Sequence, residues 1–233
     1  MASLKIAIVG SGAAAAGVLH GIEAADVNAE ITVYSDERYF RSSPKDRYAT
    51  TDSERFYTAV YGDIKRQAVN YPPRKTFFGD TVPCQTIRGK ERFFLSEMFG
   101  GLTNIWGGTV LPLPERDFES WPINRTDLEP HYRAIAQLIG VAGLPDRVSD
   151  FLRMNISTAR PVKQLAGFTM LGEHLNAHPG TDKYVFHAGS SPVTVDTRDG
   201  SPTGCVHCGE CMAGCIRDAI YSSRDAFLRS IDQ

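Results

Sequence analysis

The chain has 233 residues, a formal net charge of -2 and 42% hydrophobic residues. That is enough apolar content for one large or two small folded domains, and it excludes global disorder and electrostatic binding of nucleic acid or other polyanions as leading ideas. No stretch reaches the roughly 20 apolar residues of a membrane-spanning helix.

The first motif is a strand, a glycine turn, a helix and a second strand. Lys5–Val9 has the continuous apolar character of a buried strand, and Gly10-Ser11-Gly12 forms a tight turn. The turn leads into a helix over Ala13–Ala25, followed by a strand from Glu30 or Ile31 to Tyr34. Lys5 with its apolar run imitates a secretory signal, but Gly10 and Gly12 break the run where a signal helix would be strongest, so a cytoplasmic protein is expected. A glycine turn between a strand and a helix is the setting in which a dinucleotide pyrophosphate binds. Gly10 makes the turn, Gly12 lets the backbone approach the phosphates, and Ala15 is small enough for helix-to-strand packing. The helix start adds N–H groups and the positive end of the helix dipole. The acid for the ribose falls at Asp36 or Glu37, after Ser35. The unit alone does not decide between NAD and FAD.

Residues 36–75 are polar, with a helix expected over Ser53–Val69, and form a covering segment in place of a second βαβ repeat. Two glycine pairs, Gly100-Gly101 and Gly107-Gly108, then bracket Thr103, Asn104 and Trp106. Such a loop brings backbone close to a flat ligand, offers hydrogen bonds and packs an indole, and is equally compatible with a tight structural turn. Thr126–Glu129 has capping-box spacing, and Leu128, Tyr132, Ile135 and Ile139 share a face, predicting a helix that ends at Gly140. His131 in that helix is expected to be a surface or partner-bonded residue and not a ligand. Tyr184–Phe186 and Val193–Val195 are candidate strands of a second, mixed region.

Cys205, Cys208, Cys211 and Cys215 form a C-x2-C-x2-C-x3-C run, the spacing of bacterial ferredoxins, with Ile216 where those proteins carry proline. An iron-sulfur cluster, a structural zinc site and plain thiols or disulfides remain open for these metal-ligand candidates. Cys84 is the one cysteine outside the run.

Taken together, Val9–Ala14, the Gly100–Gly108 loop, the Asp117-Phe118 to Trp121-Pro122-Ile123 step and the cysteine run resemble the glucose-methanol-choline oxidoreductases. The likeness is to their cysteine-rich branch of sugar- and choline-dehydrogenase-like enzymes. It implies that Gly10, Gly12 and Ala15 hold the pyrophosphate of FAD, that Asp36 or Glu37 holds its ribose, and that Gly100, Gly101, Thr103, Asn104, Gly107 and Gly108 lie along the flavin. The activity implied is oxidation of a CH-OH group in a small alcohol or sugar, with hydride transfer to FAD. An iron-sulfur cluster on the four cysteines would pass electrons to an acceptor.

Ser35 stands where the family carries its ribose-binding Glu, and the family's C-terminal segment with the catalytic His has no counterpart, so no catalytic residue is assigned. His178-Pro179-Gly180-Thr181 has a similar look but precedes the cysteines, in the wrong order. The expected architecture is α/β, with an FAD-binding Rossmann-like unit of incomplete sheet over 1–125 and part of a mixed α+β region over 126–233. The first strand of such a sheet wants parallel neighbours on both sides, so an N-terminal portion, truncated or completed by another polypeptide, is expected. A non-catalytic electron-transfer or nucleotide-binding module is the alternative.

Overall fold

A computed structural model of the chain describes residues 4–36, 52–65, 84–86, 92–94, 96, 98–154, 161–181, 184–198, 200–209, 211 and 215–231. The chain is mixed α/β and divides into two compact units, Met1–Gly107 with Glu210–Gln233, and Gly108–Gly209.

The first unit begins as the sequence predicts. Strand β1 (Leu4–Val9) leads through the glycine turn into helix α1 (Ala13–Ala24), and β2 (Ala29–Tyr34) returns parallel to β1. The register pairs Ile6 with Ile31 and Ile8 with Val33. Because side chains alternate across a strand, these four share one face. They pack with Ala16 and Leu19 of α1 and with Phe99 and Phe227, which come from far along the chain. Phe227 is completely buried and meets Phe99 edge to face at 5.7 Å. It belongs to α6 (Ser223–Ile231), so the last helix closes the core over the first strands.

The opposite face of the β1–β2 pair carries Lys5, Ala7 and Val9 beside Glu30, Thr32 and Tyr34, all exposed. Lys5 pairs with Glu30 at 3.5 Å, while Val9 and Tyr34, 84% and 60% exposed, leave apolar surface beside the glycine turn. Parallel strands are ordinarily covered on both faces.

The first unit also contains α2 (Ser53–Lys65) and the antiparallel pair β3 (Cys84–Thr86) and β4 (Arg92–Phe94). The expected end of the second helix, residues 66–69, lies outside the described residues.

In the second unit, α3 (Arg125–Ile139) ends at Gly140 as predicted, but its capping box begins two residues earlier than expected. Asn124 is the cap: its side chain accepts the Asp127 N–H at 3.1 Å, and its own N–H donates to the Asp127 carboxylate at 2.9 Å. Asn124 outcompetes Thr126 because its side-chain oxygen reaches the exposed N–H three residues on. Arg125 is buried, and its guanidinium donates to the carbonyls of Leu113, Leu152 and Arg153, with Glu129 at 3.9 Å. One cation thus gathers two chain segments, at Leu113 and at Leu152-Arg153, onto the start of the helix.

Strand β5 (Val141–Ala142) pairs antiparallel with β8 (Val193–Thr194), and Thr194 donates to the Gly108 carbonyl at 2.7 Å. The short α4 (Arg147–Phe151) is capped by Asp146. Helix α5 (Ala166–Ala177) precedes a hairpin of β6 (Gly180–Thr181) and β7 (Tyr184–Val185).

Phe227→Ala removes the side chain on which both strands and Phe99 converge. Apparent stability of the first unit, followed by urea unfolding, is expected to fall by about 3–5 kcal/mol.

Candidate functional site

The glycine turn after β1 holds Gly10 at φ +95°, a conformation that side chains rarely adopt, and Gly10 donates its N–H to the Tyr34 carbonyl at 2.8 Å. The turn is thereby tied to the end of β2, where Ser35 follows. Gly12 is the N-terminal cap of α1 and supplies no side-chain hydrogen bond to the helix. A Cβ at Gly10 or Gly12 would meet nothing within 4 Å among the described residues. The first turn of α1 contains no acidic residue to compete for its N–H groups. Ala15 sits half-buried against the core, which fits its expected role in packing the helix onto the strands.

The second glycine loop comes to rest on the first. Gly101, at φ +57°, lies so close that a Cβ there would stand 3.0 Å from the Gly12 Cα. Gly100 donates its N–H to the buried Ser11 hydroxyl at 2.9 Å, and Ser11 in turn shares a 2.7 Å hydrogen bond with Ser35. The backbones of both glycine turns are therefore in contact, joined through one serine.

Thr103 and Asn104 are buried and face inward. The Thr103 hydroxyl donates to the Gly100 carbonyl at 2.6 Å and accepts the Ser223 N–H at 3.0 Å. The Asn104 amide donates to the Phe99 carbonyl at 2.8 Å, and its oxygen accepts from the Ser222 hydroxyl at 3.1 Å. Ser223, completely buried at the start of α6, places its hydroxyl 2.9 Å from the Ser11 carbonyl and 2.8 Å from that of Gly100. With one hydrogen on each hydroxyl, a consistent arrangement has Thr103 donating to Gly100 and Ser223 donating to Ser11.

Trp106 is half-buried and donates its indole N–H to the Tyr221 carbonyl at 2.9 Å, with the rings edge to face. Burial pushes the Tyr221 phenol up from its ordinary value, so it stays neutral at physiological pH.

Of the sequence candidates, the structure gathers Gly10, Gly12, Gly100, Gly101, Thr103 and Asn104 within the first unit. Asp36 is half-buried just beyond Ser35, Gly107 is half-buried after Trp106, and Glu37 lies outside the described residues. Gly108 is buried in the second unit, where its carbonyl accepts from Thr194. The residues that sequence reasoning passed over are Ser11, Ser222 and Ser223. Their only sequence signal was Ser222 three residues before Asp225, the spacing of a helix cap, which predicts a helix start but not its partners.

The four cysteines of the run are half-buried except for the exposed Cys208. Backbone N–H groups donate to two of the sulfurs: His207 to Cys205 and Ala219 to Cys215, both at 3.3 Å. His207 and Gly209 flank Cys208 in left-handed conformations, giving a tight turn around it. Ile216, in the position of the usual proline, is buried beside Cys215. Sulfur atoms accepting N–H bonds suit thiolate ligands. Among the described residues, no three His, Cys, Asp or Glu side chains are gathered closely enough to hold a metal ion.

The approach to Cys205 is organised by Asp196. Its carboxylate accepts from the Arg198 guanidinium at 2.9 and 2.8 Å, the Arg198 N–H at 3.1 Å and the Ser201 hydroxyl at 2.6 Å. Its carbonyl accepts the Cys205 N–H at 2.7 Å. The Arg198 guanidinium holds the Asp196 carboxyl well below the usual carboxylate range, against an opposing effect of burial.

Compared with known proteins, the chain matches no protein-family model, and no curated protein matches it.

Two outcomes test this geometry. Gly101→Ala, strained by its positive φ and by the Gly12 backbone, is expected to cost about 1–3 kcal/mol and to release the Gly100 N–H to faster hydrogen exchange. For Asp196, a lowered pKa means that the stabilisation is fully present above the ordinary value of 3.8 and is lost only as pH falls through the lowered one. Protection of the Cys205 amide should therefore persist from neutrality to below pH 3.8, whereas Asp196→Asn should show weaker protection with no such acid transition.

Proposed function

We propose that the first unit binds FAD, and that the chain is the cofactor-binding part of an oxidoreductase acting on a CH-OH donor, an alcohol or sugar-like molecule. The observation that carries this reading is the contact between the two glycine turns. A βαβ opening alone suits any nucleotide, but a second glycine loop fastened beside the helix start gives an extended ligand both a phosphate cradle and a flat backbone surface. The absence of any described atom where a Cβ would stand at Gly10 and Gly12 supports the approach of a pyrophosphate, and the start of α1, without a side-chain cap, offers it N–H groups. This βαβ opening is accordingly read as a Rossmann-like unit.

In this reading Gly10 and Gly12 admit the pyrophosphate, Ala15 keeps α1 close to the strands, and Asp36 or Glu37 accepts hydrogen bonds from the ribose. Gly100, Gly101 and Gly107 line the path of the flavin ring. Thr103 and Asn104 contribute indirectly: their polar atoms bond the loop and the start of α6, so they fix the shape of the backbone that faces the ligand. Bound FAD supplies the hydride acceptor. The base that takes the hydroxyl proton is not assigned to a residue of this chain.

The cysteine run is the second element. Cys205, Cys208, Cys211 and Cys215 would supply thiolates to an iron-sulfur centre, and the N–H bonds onto the Cys205 and Cys215 sulfurs support that chemistry. Such a centre would carry electrons onward to an acceptor and favours a dehydrogenase. The exposed face of the β1–β2 pair supports a completing polypeptide that covers it, as parallel strands require. No helix among the described residues is long and apolar enough to cross a membrane.

Protein purified without oxygen is expected to show a flavin spectrum, to release FAD on acid treatment and to contain iron. Gly12→Glu, which sets a carboxylate where the phosphates would lie, is expected to lose the flavin while retaining the iron. A colourless wild-type protein refutes the cofactor reading, and zinc in place of iron makes the cysteines structural.

A further inference from the structure

Helix α5 has no buried residue, yet two imidazoles meet at its C-terminal end, His174 in its last turn and His178 as the cap residue just beyond it. The rings of His174 and His178 lie 4.6 Å apart between centroids, with planes 37° from parallel. Residues four apart stand on one helix face, one turn above the other. Both side chains are exposed, so neither hydrophobic burial nor a surrounding aromatic cluster accounts for the contact.

The environment of His178 settles its tautomer. Its backbone N–H donates to the His174 and Leu175 carbonyls at 3.2 Å each, and its Nδ1 lies 3.0 Å from the His174 carbonyl oxygen. A carbonyl can only accept, so Nδ1 carries the hydrogen and the neutral ring keeps the lone pair on Nε2. A ring nitrogen bonded to a carbonyl while the other stays free is the arrangement that orients histidine as a metal ligand and raises its basicity. The site also sits at the C-terminal end of α5, where carbonyl groups point outward and the helix dipole favours a cation.

We propose that His174 and His178 form a two-imidazole chelate for a divalent transition-metal ion such as zinc, nickel or copper(II). Imidazole nitrogens bind such ions at about 2.0–2.1 Å, and a four-residue spacing of histidines is one that serves zinc on helices, here with the second histidine at the helix cap. With two protein ligands, the remaining positions belong to water. Between the two histidines stand Leu175, Asn176 and Ala177, none of them able to act as a general base, so the site binds metal without hydrolytic machinery. It is separate from the cysteine run in both ligand type and place in the sequence, and it does not depend on the flavin reading.

The test titrates zinc chloride alone into the full chain and follows each histidine ring by NMR, a readout that bypasses zinc bound by the cysteines. The His174 and His178 signals are expected to shift together, at zinc concentrations that leave the exposed His131 unmoved. In His174→Gln, the zinc response of His178 should weaken by about tenfold or more, and His178→Gln should do the same to His174. Both substitutions are at exposed positions, and the unchanged signal of His131 in each variant reports that the fold is intact. The proposal is overturned if the pair responds no more strongly than His131, or if each ring keeps its wild-type response when the other is replaced.

Discussion

Ser223 is a serine with no access to water, and the folding of the first unit turns on its hydrogen bonds. Its N–H donates to Thr103, and its hydroxyl lies within bonding distance of the carbonyls of Ser11 and Gly100. The Ser11 carbonyl would cost on the order of 1–3 kcal/mol if buried without that hydroxyl, so the packing of the loop on the glycine turn is favoured when the C-terminal helix is also in place. The dependence is mutual, since Phe227, one turn further along that helix, fills the core against Phe99 and the first strands. Polar satisfaction and apolar packing thus select the same arrangement of three remote segments. Such agreement between levels is what gives a sequence one structure instead of several.

The βαβ opening was legible because each of its parts carries a local signal: an apolar run for the strand, two glycines for the turn, small residues for the helix. The same holds for the end of α3 at Gly140. Its start was placed two residues late, because both Asn124 and Thr126 are able caps and only the three-dimensional fit of Asn124 to Asp127 distinguishes them. Helix α5 gave no warning at all. It begins after Leu165 without a side-chain cap and buries no residue, so neither a capping signal nor an amphipathic stripe marks it.

In the candidate site, the glycines could be named from the sequence because backbone geometry restricts which residue fits. The inward turn of Thr103 and Asn104 could not, since a hydroxyl or an amide next to glycines serves a ligand and a loop equally well. Nor could the sequence disclose that residues 210–233 belong with the first 107, because the bonds that bring them together are made by serines, whose partners are set only by the tertiary fold.

The bond from Ser223 to Ser11 spans nearly the whole chain, which has a consequence for how the protein is made. During synthesis at about 5–20 residues per second, the ribosome needs several seconds to deliver the segment between the glycine loop and the closing helix. For that interval the nascent β1–β2 pair lacks Phe227, and the Ser11 carbonyl lacks the Ser223 hydroxyl that will bond it. The second unit, by contrast, is continuous in sequence and can fold on emergence. The polypeptide is therefore expected to acquire its structure out of order, its middle before its beginning, with the N-terminal strands exposed to chaperones until the closing helix emerges.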